Sequence, residues 1–170
     1  MAEVGPAPPG APVWSGIVRP AWIDRNGHMN VTAYDAVFQE AEQAFFQTLG
    51  VERSYAEQDR RGFFRLEKHL RYQAECLAGQ LLEVTVRLLW TDFKRFHLFY
   101  ELWQPEAGRR AATCELMWMH MDLTARRGLK LAEGPLRDAF AAYHAREETL
   151  PPVDGASRAI SPDPRVRNAR

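Results

Sequence analysis

Between Thr32 and Leu49 the apolar residues Tyr34, Val37, Phe38, Ala41, Phe45 and Leu49 recur at the spacing of one helix face. This predicts a long helix with a buried stripe, stopped by Gly50. The period then changes. Phe64, Leu66, Lys68, Leu70 and Tyr72 alternate with Arg65, Glu67, His69 and Arg71, so the two sets fall on opposite faces of a strand. A second run, 81–90, places Leu82, Val84, Val86, Leu88 and Trp90 on one face. An aromatic-rich third run covers 96–103 and a fourth covers 111–123. The segment Pro105-Glu106-Ala107-Gly108 between them reads as a hairpin turn. A short strand over 13–20 precedes the helix, residues 52–61 read as a loop or short helix, and an amphipathic helix over 136–147 closes the pattern. The predicted order is strand, long helix, then four consecutive antiparallel strands, an α+β arrangement in which a curved sheet wraps the helix.

Composition adds boundaries. A chain of 170 residues, 46% hydrophobic, suits one domain with a sizeable core. We expect that domain over 13–150, between a Pro/Ala/Gly extension at 1–12 and a tail at 151–170 rich in Pro, Arg, Asp and Ala, both disordered. Lys+Arg and Asp+Glu are each 22, so no net basic field points to nucleic acid. No stretch approaches the roughly 20 apolar residues of a membrane span, and the extension is not a signal peptide. The two cysteines, Cys76 and Cys114, form no metal or redox pattern and fit a reducing cytoplasm.

The candidate chemistry lies just before the long helix, in Trp22-Ile23-Asp24-Arg25-Asn26-Gly27-His28-Met29-Asn30. A helix N-terminus carries open N–H groups and partial positive charge, which suits a polarised carbonyl oxygen. Asp24 is then placed to act as base or nucleophile on the carbonyl carbon. The other reading is that Asp24, Asn26 and Asn30 shape a tight turn in which Gly27 takes a left-handed conformation.

Residues 18–50 resemble the hotdog-fold acyl-CoA thioesterases of the 4-hydroxybenzoyl-CoA thioesterase superfamily. These carry an Asp, a Gly three residues on, and an aromatic residue at the start of the central helix, matched here by Asp24, Gly27 and Tyr34. The form W-I-D-x-N-G-H-M-N is similar to the betainyl-CoA thioesterase branch of bacterial carnitine breakdown. Three later segments extend that resemblance. They are Glu67 to Tyr72 with Glu75 and Gly79, then Asp92-Phe93-Lys94-Arg95-Phe96-His97, then Ala112-Thr113-Cys114-Glu115 with His120-Met121-Asp122, where Met121 departs from the branch's Val. The resemblance covers residues 17–128. It implies a hotdog fold, an acyl-CoA substrate, Asp24 as the catalytic carboxylate, and a thioester carbonyl polarised near Gly27 and the first helical turn.

The remaining candidates have two readings each. His28 and Asn30 either donate to the carbonyl or fix the loop. Glu67 and His69 share a strand face, and either face the Asp24 loop of a partner subunit, orienting water, or form an ion pair on a solvated face. Lys94, Arg95 and His97 either hold coenzyme A phosphates or lie on a solvated turn. Tyr34 and Tyr72 are candidate substrate contacts, and Glu115 and His120 candidate interface polar groups. The five histidines have no zinc spacing, the few serines lie outside G-x-S-x-G, and no Gly-rich nucleotide motif is present, so no metal or cofactor is implied. The expectation is a cytoplasmic acyl-CoA thioesterase, a homodimer or homotetramer, with no nucleic-acid or membrane partner. The alternatives are a hotdog hydratase or dehydratase and a non-catalytic acyl-CoA-binding module. A quaternary-ammonium acyl group would need aromatic faces, for which Trp22, Tyr72, Trp90, Trp103 and Trp118 are the materials, with Glu67, Glu75 and Asp92 as carboxylates; the alternative is a plain apolar pocket for a short or medium acyl or aryl group.

Overall fold

The computed structural model describes residues 10–161. In chain order the elements are β1 (Trp14–Ile17), α1 (Val31–Thr48), α2 (Arg53–Glu57), β2 (Arg61–Tyr72), β3 (Leu81–Thr91), β4 (Arg95–Gln104), β5 (Arg109–Asp122), β6 (Arg127–Gly128) and α3 (Pro135–Glu147). Helix α1 ends as the sequence predicts. Gly50 adopts φ +80°, and the amides of Gly50 and Val51 take the carbonyls of Gln47 and Phe46. This is a Schellman closure, which a residue with a Cβ would resist.

The sheet order is β1-β3-β4-β5-β2, with β6 paired to β5. The expected run of four consecutive neighbours therefore needs correction. β3, β4 and β5 form a meander, but β2 lies at the far edge beside β5: Leu123 N–H reaches Arg60 O, and Gln73 N–H reaches Ala111 O. The β3–β4 and β4–β5 links are tight turns, whereas residues 73–80 give β2 enough chain to cross over.

Four strands and α1 are each shared between two compact units. The first takes in the described residues through Phe45, then Leu70–Val86 and Tyr100–Cys114. Its core is the α1 stripe of Tyr34, Val37, Phe38, Ala41 and Phe45, all buried, with Phe45 edge-on to Tyr100 of β4. The second takes in Phe46–His69, Arg87–Phe99 and the described residues from Glu115 on. Its core is an aromatic cluster in which Phe46 of α1, Phe63 of β2, Phe96 of β4 and Phe140 of α3 touch one another.

Phe63 belongs to the parity of β2 that carries Arg65, Glu67 and His69. On the apolar parity Phe64, Leu66 and Tyr72 are instead 38%, 48% and 49% exposed, while Lys68 and Leu70 are half-buried.

The folded part also extends past residue 150. Buried Arg87 holds the Glu147 carboxylate and the Pro151 carbonyl, and buried Glu115 accepts the Ser157 N–H at 2.6 Å. Ile160 is 2% exposed. Composition points to a disordered tail from 151, but buried charges need partners, and this segment supplies them. Residues 1–9 and 162–170, which carry the rest of the expected extension and tail, lie outside the described residues.

In the second unit His120 accepts the Tyr55 hydroxyl at Nε2 (2.7 Å), while Nδ1–H donates to Leu129 O (2.9 Å). The neutral ring protonated at Nδ1 satisfies both partners. Burial first, and the Arg61 charge as well, hold His120 below its ordinary pKa, against the Leu129 carbonyl and Asp122. The Tyr55 hydroxyl keeps its proton, pushed up to about 12 by burial. Because the folded pKa lies below the unfolded one, this stabilisation is complete above about pH 6.5 and is lost as pH falls below it. Melting temperatures are expected to drop between pH 7 and pH 5 more steeply for the parent than for His120→Gln. Parallel curves would remove His120 as the cause.

Candidate active site

The loop before α1 closes on itself. Ile23 and Met29 form a bridge, Asp24 N–H donates to His28 O (3.0 Å), and Gly27 N–H returns to Asp24 O (3.0 Å). Gly27 sits at φ +85°, so a side chain there would strain the backbone even though a Cβ would meet no atom within 4 Å. Its amide serves the turn, so the polarising groups available here are those of the first turn of α1. Asp24 Oδ1 accepts the Asn26 amide at 2.7 Å, while Oδ2 has only a long contact to Asn26 Nδ2 at 3.4 Å. The carboxylate therefore shapes the turn with one oxygen and holds the other only by that long contact.

Asn30 is the N-cap of α1. Its Oδ1 accepts the Ala33 amide (3.0 Å) and its Nδ2 donates to Trp22 O (2.7 Å). Its side-chain oxygen and one N–H of its amide fix the loop. His28 lies beside Glu75, Nε2 to Oε1 3.7 Å, with Glu75 72% exposed. Tyr34 is buried and donates its hydroxyl to Ala74 O (2.9 Å). Burial first, then the Cys76 thiol, pushes its pKa well up, so it remains a donor. Tyr72 stands edge-on to Tyr34 with ring centroids 5.2 Å apart. In the first unit His28 and Tyr34 thus reach residues 74–76, with Tyr72 beside Tyr34, while Asp24, Gly27 and Asn30 lie in the loop whose Met29 amide bonds to Cys76 O.

The other candidates belong to the second unit. Glu67 and His69 are half-buried on β2. Asp92 organises the Lys94-Arg95 turn: Oδ1 accepts both amides and Oδ2 pairs with the Arg95 guanidinium at 2.9 Å. Burial alone would raise the Asp92 carboxyl, but these hydrogen bonds together hold it below its usual value. Arg95 also lies over Trp90, so its charge is already engaged. Lys94 runs across Gly128, where a Cβ would come within 2.5 Å of its Cε. His97 is 1% exposed and bonded to Glu115 at 2.7 Å. It is turned into the core and does not share the open turn with Lys94. Glu115 is likewise an internal partner rather than an open polar group.

The aromatic materials are reduced in the same way. Arg19 covers Trp22, Arg95 covers Trp90 and Arg65 covers Trp118, with guanidinium-to-centroid distances of 4.9, 5.1 and 5.2 Å. Trp103 is 7% exposed. Half-exposed Tyr72 keeps an open ring. Pattern reading missed Glu42, a carboxylate buried within the apolar stripe of α1, and Gln104, buried at the end of β4. Glu42 was visible as an acidic residue at a core position, whereas Gln104 gave no signal. Among the described residues no three His, Cys, Asp or Glu groups converge to hold a metal, and no helix is long and apolar enough to cross a membrane.

The profile of the thioesterase-like superfamily matches residues 18–157. The chain is 31% identical over 147 residues to a betainyl-CoA thioesterase of Pseudomonas aeruginosa, covering 86% of this chain and 92% of that one. It is 34% identical over 145 residues to an L-carnitine dehydrogenase/betainyl-CoA thioesterase of Rhizobium meliloti, 84% of this chain but only 28% of that protein's length. A Staphylococcus aureus protein solved in complex with CoA superposes with TM-score 0.79 at 27% identity, over 87% of this chain and 92% of that one. The match over 18–157 and the superposition over 87% of the chain agree: this chain belongs to the thioesterase-like superfamily and has its hotdog fold.

Proposed function

We propose that the protein is an acyl-CoA thioesterase that hydrolyses an acyl-CoA to the free acid and coenzyme A. The observation that carries this reading is Asp24, held by a closed loop whose far end, Asn30, caps α1. The thioester carbonyl docks at the first turn of α1. Asp24 either takes a proton from water as its oxygen adds to the carbonyl carbon, or attacks that carbon itself and is later released by water. The C–S bond breaks, and the thiolate of coenzyme A takes up a proton. Membership of the superfamily, the names of the relatives and the CoA bound by the Staphylococcus protein support this chemistry. Glu67 and His69 are proposed to face the Asp24 loop of a partner subunit and to orient water there. Lys94 is the better candidate for a phosphate contact than Arg95 or His97.

Within this reading the acyl group is betainyl, as the relatives' names suggest. A quaternary ammonium donates no hydrogen bonds and rests on aromatic faces and carboxylates. Tyr72 beside Tyr34, with Glu75 nearby in sequence, is the remaining candidate for that role. Thiol release over a small acyl-CoA panel tests both levels. Betainyl-CoA is expected to exceed its neutral isostere 3,3-dimethylbutyryl-CoA roughly tenfold in specificity constant. Equal rates reject the cationic substrate, and no thiol release from any member rejects the enzyme.

The protein is also proposed to be at least a homodimer in the cytoplasm, paired through β2. Phe64 and Leu66 on that edge leave apolar surface that a second copy would cover. Light scattering at micromolar concentration is expected to give twice the chain mass or more, and a monomer mass contradicts this. Both cysteines are free and buried, in keeping with a reducing compartment.

A further inference from the structure

We infer that Gln104 is a positioning residue for the Asp24 loop, acting through the backbone of residues 75–76. This rests on the reading of that loop as the reaction site. Gln104 ends β4 and is 2% exposed. The Arg109 Nε–H needs an acceptor, so Gln104 turns Oε1 toward it and Nε2 toward the crossover segment. There Nε2 donates to Glu75 O at 2.6 Å and lies 3.2 Å from both Cys76 Sγ and Gln80 Oε1. Gln80 Oε1 in turn accepts the Leu77 amide at 2.7 Å. One buried amide thus holds the segment from its inner side.

The same few residues carry the candidate site. Cys76 O accepts the Met29 amide at 2.8 Å, and Met29 is the bridge partner of Ile23, the residue before Asp24. Ala74 O accepts the Tyr34 hydroxyl, and the Glu75 carboxylate faces His28. All these residues lie in the first unit. A shift of the Glu75–Cys76 backbone is therefore passed to Met29 and to the mouth of the loop. Displacements of an ångström at a reacting group can cost up to about 100-fold in rate. The Cys76 thiol is fully buried beside the Gln104 amide, and burial pushes its pKa up.

The test compares Gln104→Met, which fills the space without a donor, with Gln104→Glu, which keeps a partner for Arg109 but sets an acceptor against the Glu75 carbonyl. Each is expected to lower kcat about tenfold with KM within about twofold. Arg109→Met, on a half-buried residue, moves kcat the same way by less. A merely structural role would lower the melting temperature and leave kcat of the folded enzyme unchanged. Asp24→Asn is assayed in parallel. If it is inactive while the folded Gln104 variants turn over at the parent kcat, this inference is overturned and the thioesterase reading stands. If Asp24→Asn works at the parent rate, the reading of that loop as the reaction site falls, and this inference with it, while thiol release still shows a thioesterase. Should the Gln104 variants not fold, Arg109→Met decides, and a parent kcat there overturns the inference.

Discussion

Replacing Asp24 by Asn is expected to lower turnover on the best acyl-CoA substrate by about 100-fold or more, the scale of losing one acid–base group, while the protein folds normally. The substitution separates the two tasks of this side chain. Asn retains an acceptor for the Asn26 amide, now met at 2.7 Å, so the turn keeps its closure. The Ile23–Met29 bridge and the Asn30 cap involve other groups and persist. What is lost is the charge and basicity of the second oxygen, the part of the carboxylate not consumed by the turn. An inactive variant with a parent-like melting curve is the expected result. Turnover at the parent rate would mean that Asp24 only shapes the loop.

The largest stability effect is expected at Glu147. Its carboxylate forms a fork with Arg87, Oε2 to Nε at 2.8 Å and Oε1 to Nη2, and Arg87 Nη1 also donates to Pro151 O at 2.7 Å. Arg87 and Glu147 side chains are 5% and 14% exposed. Glu147→Ala leaves the guanidinium buried with one carbonyl, which costs roughly 3–5 kcal/mol. For a chain of this size each kcal/mol is worth about 2–4 °C, so the melting temperature should fall by roughly 10 °C. Replacing both residues by Met is expected to restore most of it, because no charge is then left buried. A melting curve unaffected by Glu147→Ala would mean that the end of α3 and the segment after it are not held by this pair.

Much of the architecture was legible in the residues. The apolar period of 32–49 and Gly50 define α1 and its stop, since helix faces and left-handed caps are local properties. The alternating runs give strands in the right places for the same reason. The loop from Trp22 to Asn30 was legible as a motif, and the resemblance it carries agrees with the family of the chain. Gln104 was not legible, because a lone glutamine at a strand end looks the same whether it faces water or holds a neighbouring backbone.

What the sequence by itself determined is therefore the set of local elements, the family and the position of the polar loop before a buried helix. The tertiary structure decided how they are arranged. Alternation states which residues share a face, but not which strand lies next to which or which face is covered. Hence β2 crosses to the edge beside β5, and Phe64, Leu66 and Tyr72 of its apolar parity are left exposed while Phe63 goes in. Polar partners likewise come from neighbours distant in sequence. His97 stands two residues from Arg95, yet it is buried on Glu115 because residues eighteen positions apart are brought together by sheet pairing. The arginines over Trp22, Trp90 and Trp118 remove faces that composition alone offered to a cation. Packing determines which polar atoms are already satisfied, and only the remainder is open to chemistry.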